Sequence, residues 1–442
     1  PAVLAAIAAK TDAGTETDSL SELQALITAA AAAQVTAINK IAAYAETGLT
    51  APLEADYAAA GVAGVSAANL GAINDAINSQ KGPDTTLGNA NDKEGADTTA
   101  EVQAIVNAYN VILGEANDTT SAAGDTTPDA TPAADPSAAN YAQIGADIGL
   151  AATDAENLNL LNDIIGGLQT TDVNSIAKIN ALATIANAIQ TVAANGSATL
   201  TAADFAHVGL AGVTTDNLPA VLAAIAATTN DGSQTDSLSE LQALITNAAN
   251  AAASALDAIS AYAELNSTGL ASAASAPPLQ GDYAAAGVTG VDASNLNAIN
   301  DALASAPVNG AAANTTAEVQ AIVNAYTAIL SEANGNLADA NTASNPTVAQ
   351  YATIGASIGA AATDAENLNL LNDIVGGLQT ADVDTIAEIN ELARIANAIQ
   401  TLAAGGTPTP ALTPSDFAKV GLSGTTTDNL PAVLAAIAGK AD

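Results

Sequence analysis

The fold is decided by the stretch DYAAAGVAGVSAANL at residues 56–70, which the chain repeats. A near-copy, DYAAAGVTGVDASNL, occupies residues 282–296, and two looser copies, DFAHVGLAGVTTDNL and DFAKVGLSGTTTDNL, occupy residues 204–218 and 416–430. The copies share an aromatic residue, a glycine four residues later, a second glycine, a polar residue and then Asn-Leu before an apolar run. A segment that recurs in this way either binds something repeatedly or joins helices repeatedly.

Read residue by residue, the stretch resembles the end of one helix and the start of the next. Gly61 suits the left-handed backbone conformation that ends a helix. Ser66 suits an N-cap, with Asn69 in the position of the capping-box partner, and Val65 and Leu70 suit a hydrophobic staple. We call this segment the joint, and we predict that it is structural and sets the angle between two helices.

The copies of the joint differ in their predicted caps. Asp292 takes the place of Ser66 and suits the positive end of a helix. In the looser copies a proline follows Asn-Leu, and proline is tolerated only in the first turn of a helix. The cap is therefore expected close before the proline, at Asp216 and at Asp428.

Longer repeats organise the rest of the chain. DSLSELQALIT begins at Asp18 and again at Asp236, and TDAENLNLLNDI begins at Thr153 and again at Thr363, so the chain holds two copies of a long unit. The aromatic residue of the joint recurs at Tyr57, Tyr141, Phe205, Tyr283, Tyr351 and Phe417. Six units of about the size of a small helical domain follow from this spacing.

Each unit is predicted to contain three helices. The first is long, because apolar residues recur at steps of three and four, as in Val102, Ile105, Val106, Tyr109, Ile112 and Leu113. The second is the short run at the aromatic residue, and the third begins at Asn-Leu. The predicted boundaries give a remnant helix at 1–10 and units at 11–80, 81–171, 172–229, 230–307, 308–381 and 382–442. The predicted fold is all-α, a tandem array of six three-helix units that forms an elongated rod or solenoid.

Composition narrows the function classes. Hydrophobic residues make up 49% of the 442 residues but aromatic residues only 2%, so alanine, the best helix former, supplies most of the apolar count. The formal net charge of −38 disfavours nucleic acid and anionic lipid as partners. The absence of cysteine excludes disulfides and thiolate chemistry. The apolar run at 23–39 is short and lies between Glu22 and Lys40, so we expect no membrane insertion.

Candidate chemical sites are few. His207 is the only histidine, and Lys419 takes its place in the second copy, so we expect a surface residue. The aromatic residues of the joint are expected to be core anchors with tyrosine hydroxyls at the rim. Acidic loops could hold calcium, but neither matches an EF-hand; their carboxylates are Asp12, Glu16, Asp18, Asp231 and Asp236.

An enzyme is not expected. Nucleotide-binding and serine-nucleophile motifs are absent, and we assign no catalytic, cofactor-binding or metal-binding residue. Four triplets match the N-glycosylation pattern, a weak signal in a chain rich in Asn and Thr; they begin at Asn117, Asn195, Asn266 and Asn314. The opening residues PAVLAAIA recur near the end of the chain, as expected of a piece of a longer repetitive protein.

The phrases ADYAAAGVAGVSAANLGAINDAI, DFAHVGLAGVTTDNLPAVLAAIAA and TDSLSELQALI resemble the alanine-rich tandem repeats of giant secreted surface adhesins of Gram-negative bacteria, of the RTX or Bap type. The resemblance implies an extracellular, cell-attached protein concerned with adhesion or biofilm. The expected function is a non-catalytic stalk or extender whose candidate partners are neighbouring repeats of the same chain and other copies of itself. Two alternatives stay open at this point: a subunit of an extracellular filament or surface layer assembled head to tail, and a helical module that binds a host protein or glycan.

Overall fold

The structure is a computed structural model that describes residues 2–10, 17, 19–80, 96–116, 135–228, 234–267, 276–335 and 345–440. The described residues form nineteen α-helices and five short 3-10 segments, and a single isolated bridge, between Asn334 and Gln379, is the only β-type pairing among them. The prediction of an all-α fold is confirmed. The rod or solenoid arrangement stays a prediction.

After α1 (Ala2–Ala8), the helices follow one another in what we call triplets: a long helix, a six-residue helix that carries the aromatic residue, and a third helix. The first three triplets are α2 (Leu20–Thr47), α3 (Glu54–Ala59) and α4 (Leu70–Ser79); α5 (Thr99–Glu115), α6 (Ala138–Gln143) and α7 (Ala155–Gly166); and α8 (Ile176–Ala193), α9 (Ala202–His207) and α10 (Leu218–Ala226). The fourth, fifth and sixth triplets are α11 (Leu238–Ser267), α12 (Gln280–Ala285) and α13 (Leu296–Leu303); α14 (Thr316–Glu332), α15 (Val348–Thr353) and α16 (Ala365–Gly376); and α17 (Ile386–Ala403), α18 (Pro414–Lys419) and α19 (Leu430–Ala438).

The long helices form where a capping signal precedes an apolar face. In α5 the hydroxyl of Thr98 accepts from the amide of Glu101, and the Glu101 carboxylate accepts from the amide of Thr98, a complete capping box. The predicted apolar face of this helix is fully buried at Val102, Ile105 and Ile112. Local capping and burial of one face therefore select the same residues for the helix.

The joint ends its short helix as predicted. The first glycine of each joint has a left-handed φ between 76° and 83°, a conformation that favours glycine; these residues are Gly61, Gly145, Gly209, Gly287, Gly355 and Gly421. In the first joint the amide of Val62 donates to the carbonyl of Tyr57 at 2.9 Å, and the amide of Gly61 donates to Ala58 at 3.0 Å. These are the two bonds of a Schellman motif, which satisfies carbonyls at the helix end.

The predicted caps of the third helices are wrong. α4 begins at Leu70, so its N-cap is Asn69 and not Ser66, and the side chain of Asn69 accepts from the amide of Ser66 at 2.7 Å. α13 likewise begins after Asn295 and not after Asp292. In the first joint a turn of three residues lies between Ser66 and α4, because the side chain of Asn69 folds back and bonds the joint.

Asp216 and Asp428 are not caps either. The bonded pairs are Thr214 with Asn217 and Thr426 with Asn429, in which the asparagine side chain accepts from the threonine amide at 2.7 Å. Because α19 begins only at Leu430, Pro431 falls in its first turn, where proline is tolerated. The proline is therefore accommodated by a helix that starts one residue later than predicted, with Asn429 and not Asp428 in the N-cap position.

The chain divides into two compact units, Pro1–Val213 with Ala224–Ile245, and Thr214–Ala223 with Thr246–Asp442. In the second unit the core gathers Tyr283, Tyr326, Tyr351 and Phe417 with the aliphatic faces of its helices. The finer boundaries predicted between six units stay predictions. Among the described helices, α2 is the one long and apolar enough to cross a membrane by length and composition, and 22% of its apolar window is buried against neighbouring helices.

The glycines of two joints allow the cost of backbone conformation to be separated from the cost of crowding. A Cβ added at Gly209 meets nothing within 4 Å, whereas one added at Gly287 lies 2.8 Å from the backbone nitrogen of Ala220. Gly209→Ala should therefore lower the free energy of unfolding by about 1 kcal/mol, the cost of a left-handed alanine. Gly287→Ala should lower it by about 1–3 kcal/mol more, because the backbone must move.

Urea unfolding followed by circular dichroism measures both losses. Gly71→Ala, in the exposed first turn of α4 with nothing within 4 Å of an added Cβ, is the matched control and should be neutral or stabilising. Equal losses at Gly209 and Gly287 would contradict the crowding argument.

Candidate functional site

The candidate site is the contact between each joint and the long helix of the next triplet. In the first joint the amide of Ala63 donates to Oε1 of Gln103 at 2.8 Å, and Nε2 of Gln103 donates to the carbonyl of Ala63 at 3.0 Å. Gln103 lies on α5, whereas Ala63 lies between the two glycines of the joint. One side-chain amide thus satisfies both polar groups of a backbone residue outside any helix. We call this contact the amide clamp.

The amide clamp recurs at four further joints. Gln242 on α11 holds Ala211, with bonds of 2.9 and 3.0 Å, and Gln320 on α14 holds Thr289, with bonds of 2.8 and 3.0 Å. Where asparagine takes the place of glutamine, the bond from the backbone amide is kept, from Asp147 to Asn180 at 3.0 Å and from Ser357 to Asn390 at 2.6 Å.

Position is the same in every clamp. The clamping side chain is the fifth residue of its long helix, and the clamped residue lies two positions after the first glycine of its joint. Each clamp therefore ties one triplet to the triplet that follows it. All five lie within one or the other compact unit.

A second contact reaches one triplet further. The carboxylate of Asp75 on α4 accepts from the amide of Ile176 at 2.6 Å, and that of Asp301 on α13 accepts from the amide of Ile386 at 2.6 Å. Asp163 on α7 accepts from the amide of Leu238 in the same way. Each of these amides belongs to the first residue of a long helix, which has no partner within its own helix. A carboxylate is favoured there because the helix N-terminus is positive.

Inside the triplets, a buried tyrosine is bonded to a buried asparagine. The hydroxyl of Tyr57 donates to Oδ1 of Asn74 at 2.6 Å, and Nδ2 of Asn74 donates to the carbonyl of Pro52 at 3.0 Å. We call this chain of two hydrogen bonds the relay. It occurs in three further triplets with bonds between 2.6 and 3.0 Å; these are Tyr141, Asn162 and Pro136; Tyr283, Asn300 and Pro278; and Tyr351, Asn372 and Pro346.

The third and sixth triplets replace all three members of the relay together. Phe205 takes the place of tyrosine, and leucine takes the places of proline and asparagine, at Leu200 and Leu222. The sixth triplet does the same with Leu412, Phe417 and Leu434. Since a buried amide without a hydroxyl partner would cost free energy, the polar and apolar sets are exchanged as wholes.

The expectation that tyrosine hydroxyls lie at the rim is wrong for these positions. Tyr57, Tyr141, Tyr283 and Tyr351 are fully buried, hydroxyl included. Tyr109 and Tyr326 on the long helices are also buried, and they donate to the carbonyls of Val173 at 3.0 Å and Val383 at 3.1 Å. Burial raises the pKa of all six tyrosines well above the ordinary value of 10.0. The core-anchor part of the expectation is confirmed.

The sixth triplet carries an ion-pair network. Arg394 on α17 donates from Nε to Glu391 at 2.7 Å and is also bonded to Asp416, and Lys419 donates to Glu391 at 2.9 Å. Hydrogen bonds from Arg394 and then from Lys419 lower the pKa of Glu391 to about 2. The third triplet has Ala181 in place of Glu391, so this network is a difference between the two copies of the long unit.

The candidate residues from the sequence do not form a chemical site. His207 is exposed, as expected of a surface residue. Asp12, Glu16, Asp18 and Asp231 lie outside the described residues, and so does Asn117 of the glycosylation triplets; the described residues contain no group of three or more His, Cys, Asp or Glu that could hold a metal. Calcium binding therefore stays untested.

The clamping residues were missed at the level of the sequence. Glutamine or asparagine at the fifth position of every long helix was the available signal, but amides on an exposed helix face are common and point to no particular partner. The exchange of Pro, Tyr and Asn for Leu, Phe and Leu was also readable from the sequence. Only the distances in the structure show that the exchanged tyrosine, asparagine and proline are hydrogen-bonded partners.

The relay predicts that Tyr57→Phe lowers the free energy of unfolding by about 1–3 kcal/mol, because Oδ1 of Asn74 loses its donor while buried. The double variant with Asn74→Leu, which reproduces the apolar pair Phe205 and Leu222, should lose less than the sum of the two single variants. A double-mutant cycle in urea measures the coupling. Additive losses would contradict a relay that acts as a unit.

The network predicts a pH dependence of stability for Glu391. Its pKa falls from the ordinary 4.5 to about 2 on folding, so its contribution is fully present above about pH 4.5 and is lost as the pH falls towards 2. The difference in unfolding free energy between the unmodified chain and Glu391→Gln should be under ~1 kcal/mol at neutral pH, since the pair is partly exposed, and should shrink across this window. Ser357→Ala, outside the network, serves as the control and should show no such change with pH.

Comparisons with known proteins find no relative of this chain: no family model, no curated protein and no solved structure matches it. An interpretation of the function therefore rests on the geometry of the joints. What that geometry offers is a set of contacts between successive helices, with side-chain amides and carboxylates already bonded to backbone groups.

Proposed function

We propose that this chain is the structural stalk or extender region of an extracellular bacterial surface protein concerned with adhesion or biofilm. In this proposal its six triplets form an elongated rod and carry out no catalysis. The observation that carries the proposal is the amide clamp, which ties a joint to the next long helix five times, three times through two hydrogen bonds and twice through one.

A clamp of this kind suits a stalk because it acts between neighbours. Gln103 contacts the joint before it, and the third helix α4 packs against α5 of the following triplet. In a tandem array, stability is the sum of repeat terms and nearest-neighbour terms, so triplets can be added without a new core. Length then follows from the number of triplets.

The surface and composition support an extracellular setting with few strong partners. The formal net charge of −38 keeps such a chain soluble and disfavours nucleic acid and anionic membranes. A chain without cysteine suits export before folding, since no wrong disulfide can form. The partners we propose are neighbouring repeats and other copies of the chain, and we propose neither a cofactor nor insertion into a membrane.

Small-angle X-ray scattering tests the rod. A compact chain of 442 residues would have a radius of gyration of about 22 Å. We expect a clearly larger value, with a distance distribution that has an early maximum and a long tail, because a rod would place successive triplets along one direction. A bell-shaped distribution with the compact radius would overturn the stalk proposal. Gln103→Ala should loosen one clamp and leave the mass in solution unchanged.

A further inference from the structure

The chain has one further pair of residues at the positions that form an amide clamp, one residue on α2 and one in the sixth joint. Gln24 is the fifth residue of α2, as Gln242 is of α11. Its side chain is exposed, and Nε2 donates to Oγ1 of Thr28, one turn further along the same helix, at 3.3 Å. In the other long helices the fifth residue clamps the preceding joint, whereas on α2 the fifth residue is exposed to solvent.

The apolar residues around Gln24 are exposed in the same way. Leu20, the first residue of α2, is 86% exposed and Ile27 is 38% exposed. Ile245, which holds the position of Ile27 in α11, is fully buried. The sequence that begins at Asp18 is identical to the one that begins at Asp236. The two helix starts therefore differ in exposure because of what packs against them and not because of their residues.

The sixth joint carries the matching half. Ser423 lies two positions after Gly421, where the clamped residues lie in the other joints, and no described residue bonds its backbone. α19 repeats the sequence of α10, yet Val433 and Ile437 are only half-buried. Their counterparts in α10 are fully buried.

The contact that reaches one triplet further has a matching pair as well. Asp373 on α16 holds the position that Asp163 holds on α7, directly after the asparagine of the relay, and its carboxylate is bonded to no described residue. Asp163 accepts from the amide of Leu238, whose counterpart on α2 is Leu20. The two kinds of contact therefore match the start of α2 with residues of the fifth and sixth triplets.

We propose that the chain docks head to tail with a second copy of itself. Gln24 of one copy bonds the backbone of Ser423 in the other, as Gln242 bonds Ala211 within the chain, and Asp373 accepts from the amide of Leu20. This inference rests on the proposed function, because it applies to two copies the packing that would join successive repeats of a stalk. The occupant of the exposed face of α2 is thus the sixth joint with α19.

α1 competes with that occupant. The seven residues of α1, AVLAAIA, are also the residues at 432–438 in α19. α1 contacts α2, as the third helices α4 and α16 contact the long helices α5 and α17 that follow them, and from this and its sequence we infer that it occupies the place of a preceding third helix. Docking of α19 displaces α1, and removal of residues 1–10 should therefore strengthen the association. Salt should strengthen it too, since two copies of formal charge −38 repel each other.

Site-specific cross-linking tests the geometry, because the chain has no cysteine of its own. Chains with Gln24→Cys are mixed with chains with Ser423→Cys in high salt and treated with a short bis-maleimide. We expect a covalent dimer. The matched control pairs Gln24→Cys with Ser357→Cys, which is exposed but whose backbone amide is already bonded to Asn390. A double variant with Ala63→Cys and Gln103→Cys shows that a clamp is within reach of the reagent.

Light scattering over a concentration series tests the association itself. The 442-residue chain, the chain without residues 1–10, and that deletion combined with Gln24→Ala are compared at high salt. We expect the deletion to raise the mean mass towards twice that of one chain or beyond, and Gln24→Ala to reverse the gain while the melting temperature stays that of the deletion variant.

The outcomes separate the two proposals. A chain that is extended by scattering but remains monomeric after the deletion, and gives no cross-link between the cysteines introduced at positions 24 and 423, would overturn head-to-tail docking and leave the stalk proposal in place. Equal cross-linking at the Ser357 control would overturn the docking geometry as well. A compact chain would overturn the stalk, whether or not copies associate.

Discussion

The structure depends on one constraint: polar groups at and around the turns between helices must keep hydrogen-bond partners while the helices pack. At each joint the chain turns at a glycine in the left-handed conformation. The residue two positions later lies outside any helix, so its backbone groups have no intrahelical hydrogen bond. An amide side chain of the next long helix supplies the missing donor and acceptor. The clamped residues are exposed, so the clamp does not rescue a buried group; its hydrogen bonds, worth about 0.5–1.5 kcal/mol each, fix the turn against the next long helix.

The same constraint explains how triplets with different residues adopt the same fold. Four triplets bury a tyrosine and satisfy its hydroxyl with an asparagine, and two bury phenylalanine against leucine. Either set fills the space between the three helices, whereas a mixture would leave a buried amide or hydroxyl unbonded. The carboxylates of Asp75, Asp163 and Asp301 occur only in triplets that also have the asparagine, directly after it in the sequence.

Such contacts are additive along the chain, which is the property a repeat array needs. A clamp uses residues of two successive triplets, and the carboxylate contact uses residues of triplets two apart, so each triplet is tied forward twice where the sequence permits. The ion pairs of Arg394 do not recur in the third triplet. They belong to one triplet and not to the repeating design.

The sequence by itself determined the local elements of this protein. Apolar spacing predicted the long helices, the first glycine of each joint predicted the end of the short helix, and the order of three helices followed from the aromatic residue and Asn-Leu. These signals are local because a helix and its C-terminal cap depend on residues within one or two turns. Only the tertiary structure decided where the third helices begin, since Asn69 and its counterparts bond the joint and not the first turn. It also decided that the tyrosine hydroxyls are buried and that Gln103 and its counterparts clamp a joint, because those partners lie 17 to 64 residues away in the chain and no local pattern names them.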